Sequence, residues 1–374
     1  MATPGQEGWG QKTLPSSRRA ANDCAVDNVT HAALGLSAGI LVARRGGSLP
    51  AAALAALLAA EAPDLDVFIR NPDDPLVSFR WHRHFTHSFA LMPLWAGLSA
   101  VLTAWFFRWR GQAEENWRGL FLPALVGALS HLLCDGCTSY GTMFLWPFNE
   151  VRYAWDCLPI VDLFATLPLL ACAILAYRRA DRRLAAYGLL WFTSYALLGV
   201  WQHHRAERDL RTWLASRGIT PTRLAVKPTI TNLIVWRGIW LHQDEWQVAA
   251  VRVTPWGETL LAPGDKRAAW KETSAGNPPR DSQAGQDFAD FSKFTQGWNT
   301  YAPFEAGIVV GDIRFGMLPT SGRPLWSVYF GRDIKHGSPH STVELLMDRS
   351  LEEGDWGRFG SLLDGSDPRY LPVR

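Results

Sequence analysis

Gly127-Ala-Leu-Ser-His131-Leu-Leu-Cys-Asp135-Gly136 closes an apolar helical run with a histidine and an aspartate four residues apart. On a helix that spacing places both side chains on one face, about 5 to 6 Å apart at Cβ. Imidazole and carboxylate together are a common ligand pair for zinc or a similar divalent ion. Taken alone, the pair reads more simply as a helix-end histidine hydrogen-bonded to its neighbour. The surrounding sequence decides between the two.

The chain has 374 residues, room for two domains, and a formal net charge of +2. No long basic stripe is present, so no nucleic-acid partner is expected. A mean hydropathy of −0.05 averages two unlike halves that meet near residue 203. Upstream, apolar runs recur and charge is confined to short clusters; downstream, charge is spread evenly. Five cysteines are too few for a disulfide scaffold. Cys134 and Cys137 form a CxxC around Asp135, but no second CxxC completes a zinc ribbon, and they read mainly as small membrane or loop residues. A Cys137–Cys157 bridge stays open if that loop faces an oxidising compartment.

Residues 1–29 are polar and lack the apolar core of a signal peptide, so a disordered tail is expected. Thr30 resembles an N-cap for an apolar helix reaching Ala43, which places His31 in the first turn. A second, Ala/Leu-rich helix runs from about Ser48 to Ala62 and stops at Pro63-Asp64-Leu65-Asp66. Both are shorter than the roughly 20 residues of a full span. A turn-rich loop then delivers Trp81-His82-Arg83-His84-Phe85-Thr86-His87-Ser88, three histidines within six residues. Thr86 reads as a second N-cap, because Phe89 to Phe107 is apolar and long enough to span a bilayer.

Further apolar runs follow at Gly119–Cys134, from Asp162 to Tyr177, and at Leu184–Val200. Traced as alternating crossings, they place His31, Asp64, Asp66, His82, His87, His131, Asp135 and Asp162 at one membrane face. The clusters Arg44-Arg45, Arg108/Arg110/Arg118 and Arg178/Arg179/Arg182/Arg183 fall at the other. Those basic turns are expected to be cytoplasmic, which turns the histidine and aspartate face outward. Arg70, Arg80, Arg83 and Arg152 lie on the outward side and work against that bias.

Carboxylates gathered at one membrane face repel one another, and charged groups in spanning helices are costly and functional by default. A divalent cation removes the repulsion, with structural zinc binding reaching roughly 10 to 16 kcal/mol in small peptides. Ligands from separate helices and a loop suggest one or two ions, zinc first, with manganese or magnesium as alternatives. Two such ions best serve hydrolysis of a phosphoester by a metal-activated water.

Thr30-His31-xxx-Gly35, Pro63-Asp64-Leu65-Asp66, His82-Arg83-xx-Thr86-His87-Ser88 and Ser130-His131-xxx-Asp135 resemble, in this order, the motifs of the YdjM-like inner-membrane metal-dependent hydrolases. The resemblance covers about residues 27–200. That family is in turn distantly similar to the zinc-dependent phospholipase C and P1 nuclease group, whose helical sites use a similar His, Asp, His, HxxxD series. The resemblance implies metal ligation by His31, Asp66, His87, His131 and Asp135, with Asp64 and His82 next. It leaves one of Asp64 and Asp66 as the base that deprotonates water. Arg83 suits an anionic substrate oxygen or, equally, a lipid headgroup at the interface. Asp162 is a candidate second-shell group that orients a ligand histidine. His84 stands where the family tends to have a small residue, and either supports the site or points to solvent.

Residues 204–374 read as a soluble domain. Short alternating runs at Leu233–Leu241, Trp246–Val253, Ala306–Phe315 and Leu325–Phe330 predict an antiparallel sheet, and Thr273–Asp287 a long loop. The expected fold is therefore mainly α: a polytopic membrane bundle with a metal site over residues 30–203, followed by a β-rich α+β domain. The expected function is an inner-membrane hydrolase that cleaves a phosphoester, from a membrane lipid or a small molecule, with its site and C-terminal domain outside the cytoplasm. The alternative is a membrane regulatory or binding protein that keeps the metal for structure and recruits a protein partner of unknown kind. Metal transport ranks last, because the polar groups cluster at one face instead of forming a path.

Overall fold

The computed structural model describes residues 25–71, 74–112, 116–271, 278–304, 307–331 and 343–373. Most of the expected tail, residues 1–24, lies outside the described residues; its last part, 25–29, is already helical.

The bundle is built around α2, Leu49–Glu61, the Ala/Leu-rich helix. Ser48 caps it by accepting from Ala51 N, Pro50 sits in its first turn, and seven of its alanines are buried. Around it pack α1 (Ala25–Val42), α4 (Met92–Trp109) and α5 (Trp117–Cys137), with α6 (Leu163–Arg179) and α7 (Arg182–Ala215) beyond α1. Helices in lipid gain little from mutual apolar contact, so close backbone approach by small residues holds them together. Two glycines set that approach. A Cβ on Gly35 of α1 would lie 2.4 Å from Ala60 Cβ, and one on Gly127 of α5 would lie 2.3 Å from the Ala56 carbonyl oxygen.

Pro63 ends α2, and a 3-10 turn, Pro63–Phe68, follows. A five-residue helix, α3 (Val77–Trp81), and two further 3-10 turns, Phe85–His87 and Phe89–Leu91, lead into α4. Among the described residues, Phe89–Trp109, Trp117–Cys137 and Arg182–Ala215 are long and apolar enough to cross a membrane. With 13 and 17 residues, α2 and α6 are shorter than a full span.

Two expected caps do not form. The first helix begins at Ala25, so His31 sits in its second turn and Thr30 instead pairs its hydroxyl with Thr166 of α6 at 2.7 Å. Thr86 lies in a 3-10 turn, and its hydroxyl donates to Asp66. No bridge joins Cys137 to Cys157: both are free thiols, and Cys157 Sγ donates to the Cys137 carbonyl.

The expected boundary at 203/204 falls inside α7, whose 34 residues run unbroken into the second half of the chain. Its last turns pack Leu210, Trp213 and Leu214 against Trp236 and Trp240. Among its described residues that half holds antiparallel strands, as the alternating runs predict, but in two sheets instead of one. One is ordered β1 (Arg223–Pro228), β2 (Val235–His242), β3 (Glu245–Arg252), β4 (Leu260–Ala268), β9 (Leu371–Pro372). The other is β5 (Asn299–Phe304), β6 (Gly307–Asp312), β7 (Trp326–Gly331), β8 (Glu344–Met347).

The stretch expected as a long loop is different. Residues 272–277 lie outside the described residues, but Ser282 caps a helix, α8 (Gln283–Thr295). Ala284, Phe288, Phe291 and Phe294 form its apolar stripe, a helical spacing inside an otherwise polar stretch. A last helix, α9 (Asp355–Asp364), precedes β9. Sheet and α8 sit at the end of the bundle that carries the histidines: Leu76 and Phe79, at α3, are buried in the same apolar cluster as Phe291, Phe294 and Trp326. Arg80 binds Asp74, Asp287 and Asp290 beside it.

Candidate metal centre

Three segments converge where α1, α2 and α5 meet. His31 lies one turn before Gly35, and His131 one turn after Gly127. Because both glycines press against the same stretch of α2, the two imidazoles stack with centroids 3.8 Å apart. The turn after α2 brings Asp64 and Asp66, and the His82–Ser88 segment brings His87, to the same point.

Four atoms form a ring. His87 Nε2 lies 3.2 Å from Asp64 Oδ1 and 3.4 Å from Asp135 Oδ2; His131 Nε2 lies 3.5 Å from Asp135 Oδ2 and 3.8 Å from Asp64 Oδ1. Two ligand atoms each about 2.1 Å from a tetrahedral zinc are about 3.4 Å apart. Those are the edges this ring shows. His31 Nε2 joins from the side, 3.3 Å from Asp135 Oδ1. His31, His131 and Asp135 form one group of potential ligands, Asp64, His87 and His131 a second, and Asp64, Asp66 and His82 a third.

The surroundings favour a cation. His131 Nδ1 is 2.6 Å from the Ala60 carbonyl, in the last turn of α2, where helix carbonyls run out of intrahelical partners. A carbonyl only accepts, so Nδ1 carries the proton and Nε2 presents its lone pair, the arrangement typical of a ligating histidine. His131 Nε2 and Asp135 Oδ2 are fully buried without a well-directed hydrogen bond. Buried polar atoms of that kind call for a partner.

Charge points the same way. Burial alone would raise Asp64 and Asp66, but for Asp64 the charge of His131 and the hydrogen bond of His87, and for Asp66 the hydrogen bonds of His82 and His87, hold both below the usual carboxylate range. Burial would lower His87, yet hydrogen bonds to Asp64 and Asp66, with the charge of Asp135, push it up to about 9. The pocket therefore draws positive charge.

Asp66 differs from Asp64. Its Oδ1 is 2.8 Å from His82 Nδ1, and its Oδ2 accepts from Arg83 N and Thr86 Oγ1, both at 3.0 Å, and lies 3.3 Å from His87 Nδ1. A separation of 2.8 Å is that of a hydrogen bond, shorter than the spacing of two ligands around one ion.

Arg83 is buried, which removes its reading as an exposed headgroup anchor. Its Nη2 is 3.0 Å from Asp135 Oδ1 and its Nη1 donates to Thr138 Oγ1 at 2.7 Å. Its backbone is left-handed, φ 56°, with N–H on Asp66 and carbonyl accepting from Met143 N. A non-glycine residue held there is a strained position fixed from several sides.

The structure leaves two expected residues outside. Asp162 caps α6, accepting from Phe164 N and Ala165 N, and its other oxygen accepts from Tyr195 OH. His84 packs among Trp81, Phe85 and Trp146 and lines a cleft of about 370 Å³ beside α8. Four contributors were not singled out as site residues from the sequence: Thr86, Thr138, Tyr140 against His82, and Trp95, whose Nε1 donates to the Thr86 carbonyl. Thr86 sits inside the quoted histidine motif; Thr138 and Tyr140 follow the HxxxD pair directly and carry no signal of their own.

Residues 26–206 match the YdjM inner membrane protein family. That match spans all six bundle helices as far as the first part of the α7 extension and includes every residue of the three ligand groups. Over that stretch, just under half of its length, the chain is similar to the YdjM family. Comparison with curated proteins and with solved structures returns no match.

Proposed function

We propose that the YdjM-type domain is a metal-dependent hydrolase of phosphoesters, with its site on the extracytoplasmic face. The observation that carries this is the ring of His87 Nε2, Asp64 Oδ1, His131 Nε2 and Asp135 Oδ2, with His31 beside it. These five residues would hold the ion, zinc by the nitrogen and oxygen character of the donors. When bound, it would supply positive charge to a phosphoryl oxygen and make a water acidic enough to attack near neutral pH.

The remaining residues divide the other work. Asp66 fixes the Nδ1 of His82, which leaves Nε2 of that ring as the proton carrier, a dyad suited to general acid–base catalysis. The side chains of His82 and Asp64 are 20% and 11% exposed, whereas those of His31, His87, His131 and Asp135 are wholly buried, so substrate meets the site at this edge. There a water oxygen bonds to phosphorus and gives its proton to His82 Nε2 as the ester P–O bond breaks, and that proton passes on to the leaving alkoxide. Arg83, committed to Asp135, holds that carboxylate in place.

The outward orientation rests on Arg44, Arg45, Arg108, Arg110, Arg178, Arg179, Arg182 and Arg183, which cluster at the helix ends away from the site. The competing reading, a regulatory protein with a structural ion, draws on how deeply those four side chains are buried, since closed sites are typically structural.

Elemental analysis of detergent-purified protein, paired with hydrolysis of bis(p-nitrophenyl) phosphate, separates them. The hydrolase predicts bound metal and turnover that His82→Gln lowers at least 100-fold with metal retained. Bound metal without turnover under zinc, manganese or magnesium would leave the regulatory reading.

A further inference from the structure

The turn that supplies Asp64 and Asp66 points its alternate residues the other way. Leu65 is 52% and Phe68 73% exposed, and Val67 and Ile69 are exposed beside them. Four of the six residues from Asp64 to Ile69 are thus apolar and exposed, which water does not explain.

Its depth does. His131 lies six residues before the end of α5, about 9 Å inside it at the helical rise. Asp64 Oδ1 is 3.8 Å from His131 Nε2, so the turn sits at that level and not at the mouth of the bundle. α5 itself is one of the candidate spans, so this level falls within a membrane-crossing segment. The turn also packs against Phe85–His87, which leads directly to Phe89 at the start of another span. Phe89 and Leu94, on that span, are exposed as well. The apolar edge of the turn therefore continues a lipid-facing surface.

The geometry points to Leu65–Ile69 as a lipid-contacting lip, over which a bilayer phospholipid presents its headgroup phosphate sideways to Asp64 and His82. This deepens the hydrolase reading and rests on it for the substrate class; the lipid contact itself does not depend on catalysis. A lipid that stays in its leaflet keeps its acyl chains against Val67 and Phe68 while the phosphate reaches the exposed edge of the site.

The test uses the whole chain in phosphatidylethanolamine/phosphatidylglycerol vesicles doped with a diazirine-bearing phosphatidylcholine. Irradiation followed by mass-spectrometric mapping is expected to place lipid adducts within residues 65–69 as well as on α4. Phe68→Asp should remove the adducts in the turn and lower hydrolysis of vesicle phospholipid at least tenfold, with turnover of soluble bis(p-nitrophenyl) phosphate and metal content within twofold of the parent. Adducts confined to α4, α6 and α7, or equal loss on both substrates with retained metal, would overturn the lip. Adducts in the turn with no hydrolysis of either substrate would support the lip and overturn the hydrolase reading instead.

Discussion

The two halves of the molecule are packed by opposite means. In the bundle the buried side chains at the centre are alanines, seven of them in α2, with Gly35 and Gly127 pressed against that helix. In the C-terminal half the largest fully buried side chains are Trp236, Trp246, Phe291 and Phe330. Charge divides as sharply. The sheet half scatters ion pairs such as Arg314–Asp312, Arg323–Asp348 and Arg369–Asp367, whereas the bundle gathers Asp64, Asp66, Asp135 and Arg83 with four histidines at one point. Water rewards burial of large apolar surface; lipid does not, so the bundle depends on closeness. Closeness is also what a metal centre needs, because a ligand displaced by an ångström is no longer a ligand.

Asp135→Ala should therefore have the largest effect anywhere in the chain. It removes a carboxylate that contacts His31, His87 and His131 and leaves the Arg83 guanidinium buried without its ion pair. Breaking a buried pair from one side costs about 3 to 5 kcal/mol. Thermal unfolding in detergent checks the stability, and elemental analysis the ion. Asp135→Asn keeps the shape and should spare more of the fold while still losing metal. Should Asp135→Ala behave like removal of an exposed pair such as Lys293–Glu150, the contrast between gathered and spread charge fails.

Volume changes should act with opposite sense in the two halves. Trp236→Ala hollows the contact between α7 and the sheet and is expected to cost about 3 to 5 kcal/mol. In the bundle the damaging change is an addition. Gly127→Ala puts a methyl 2.3 Å from the Ala56 carbonyl and should cost about 1 to 3 kcal/mol by driving α5 from α2. Since His131 is one turn away, metal content should fall with it, which Trp236→Ala should not cause. Equal metal loss in both variants would mean that the glycine contact does not set the site.

That dependence explains what the sequence revealed. HxxxD in α5, the aspartates after Pro63 and the histidine run could be read directly, because side-chain type and helical spacing are local properties. Tracing the crossings put them at one membrane face; that they meet at one point is seen only in the fold. The division of labour between Asp64 and Asp66 could not be read, since it turns on which carboxylate receives Arg83 N and Thr86 Oγ1, a matter of one turn's backbone. Asp162 looked like a site residue because it lies on the same face, but an aspartate just before a helix is first of all a cap, and the structure uses it so. In the sheet half the alternating runs located four strands. The helix α8 was hidden because its phenylalanines are diluted by Gln, Asp, Ser and Lys on its outer face.

Arg80 is held by Asp74, Asp287 and Asp290, and α3 ends one residue later at Trp81, directly before His82 and Arg83 of the site. Arg80→Ala strands three carboxylates around one gap and should cost about 1 to 3 kcal/mol. Its distinctive consequence is positional: α3 loosens, the His82–Asp66 dyad shifts, and turnover of bis(p-nitrophenyl) phosphate falls more than metal content does. The neighbouring Lys293–Glu150 contact also joins the halves, but both side chains are more than half exposed. Solvent screens such pairs nearly completely. Lys293→Ala should leave unfolding temperature, metal and turnover unchanged, although it lies on the same helix α8 as Asp290. If the two variants matched, the C-terminal half would be a passive cover; a gap between them would mean that it holds the His82–His87 segment through the Arg80 contacts of α3.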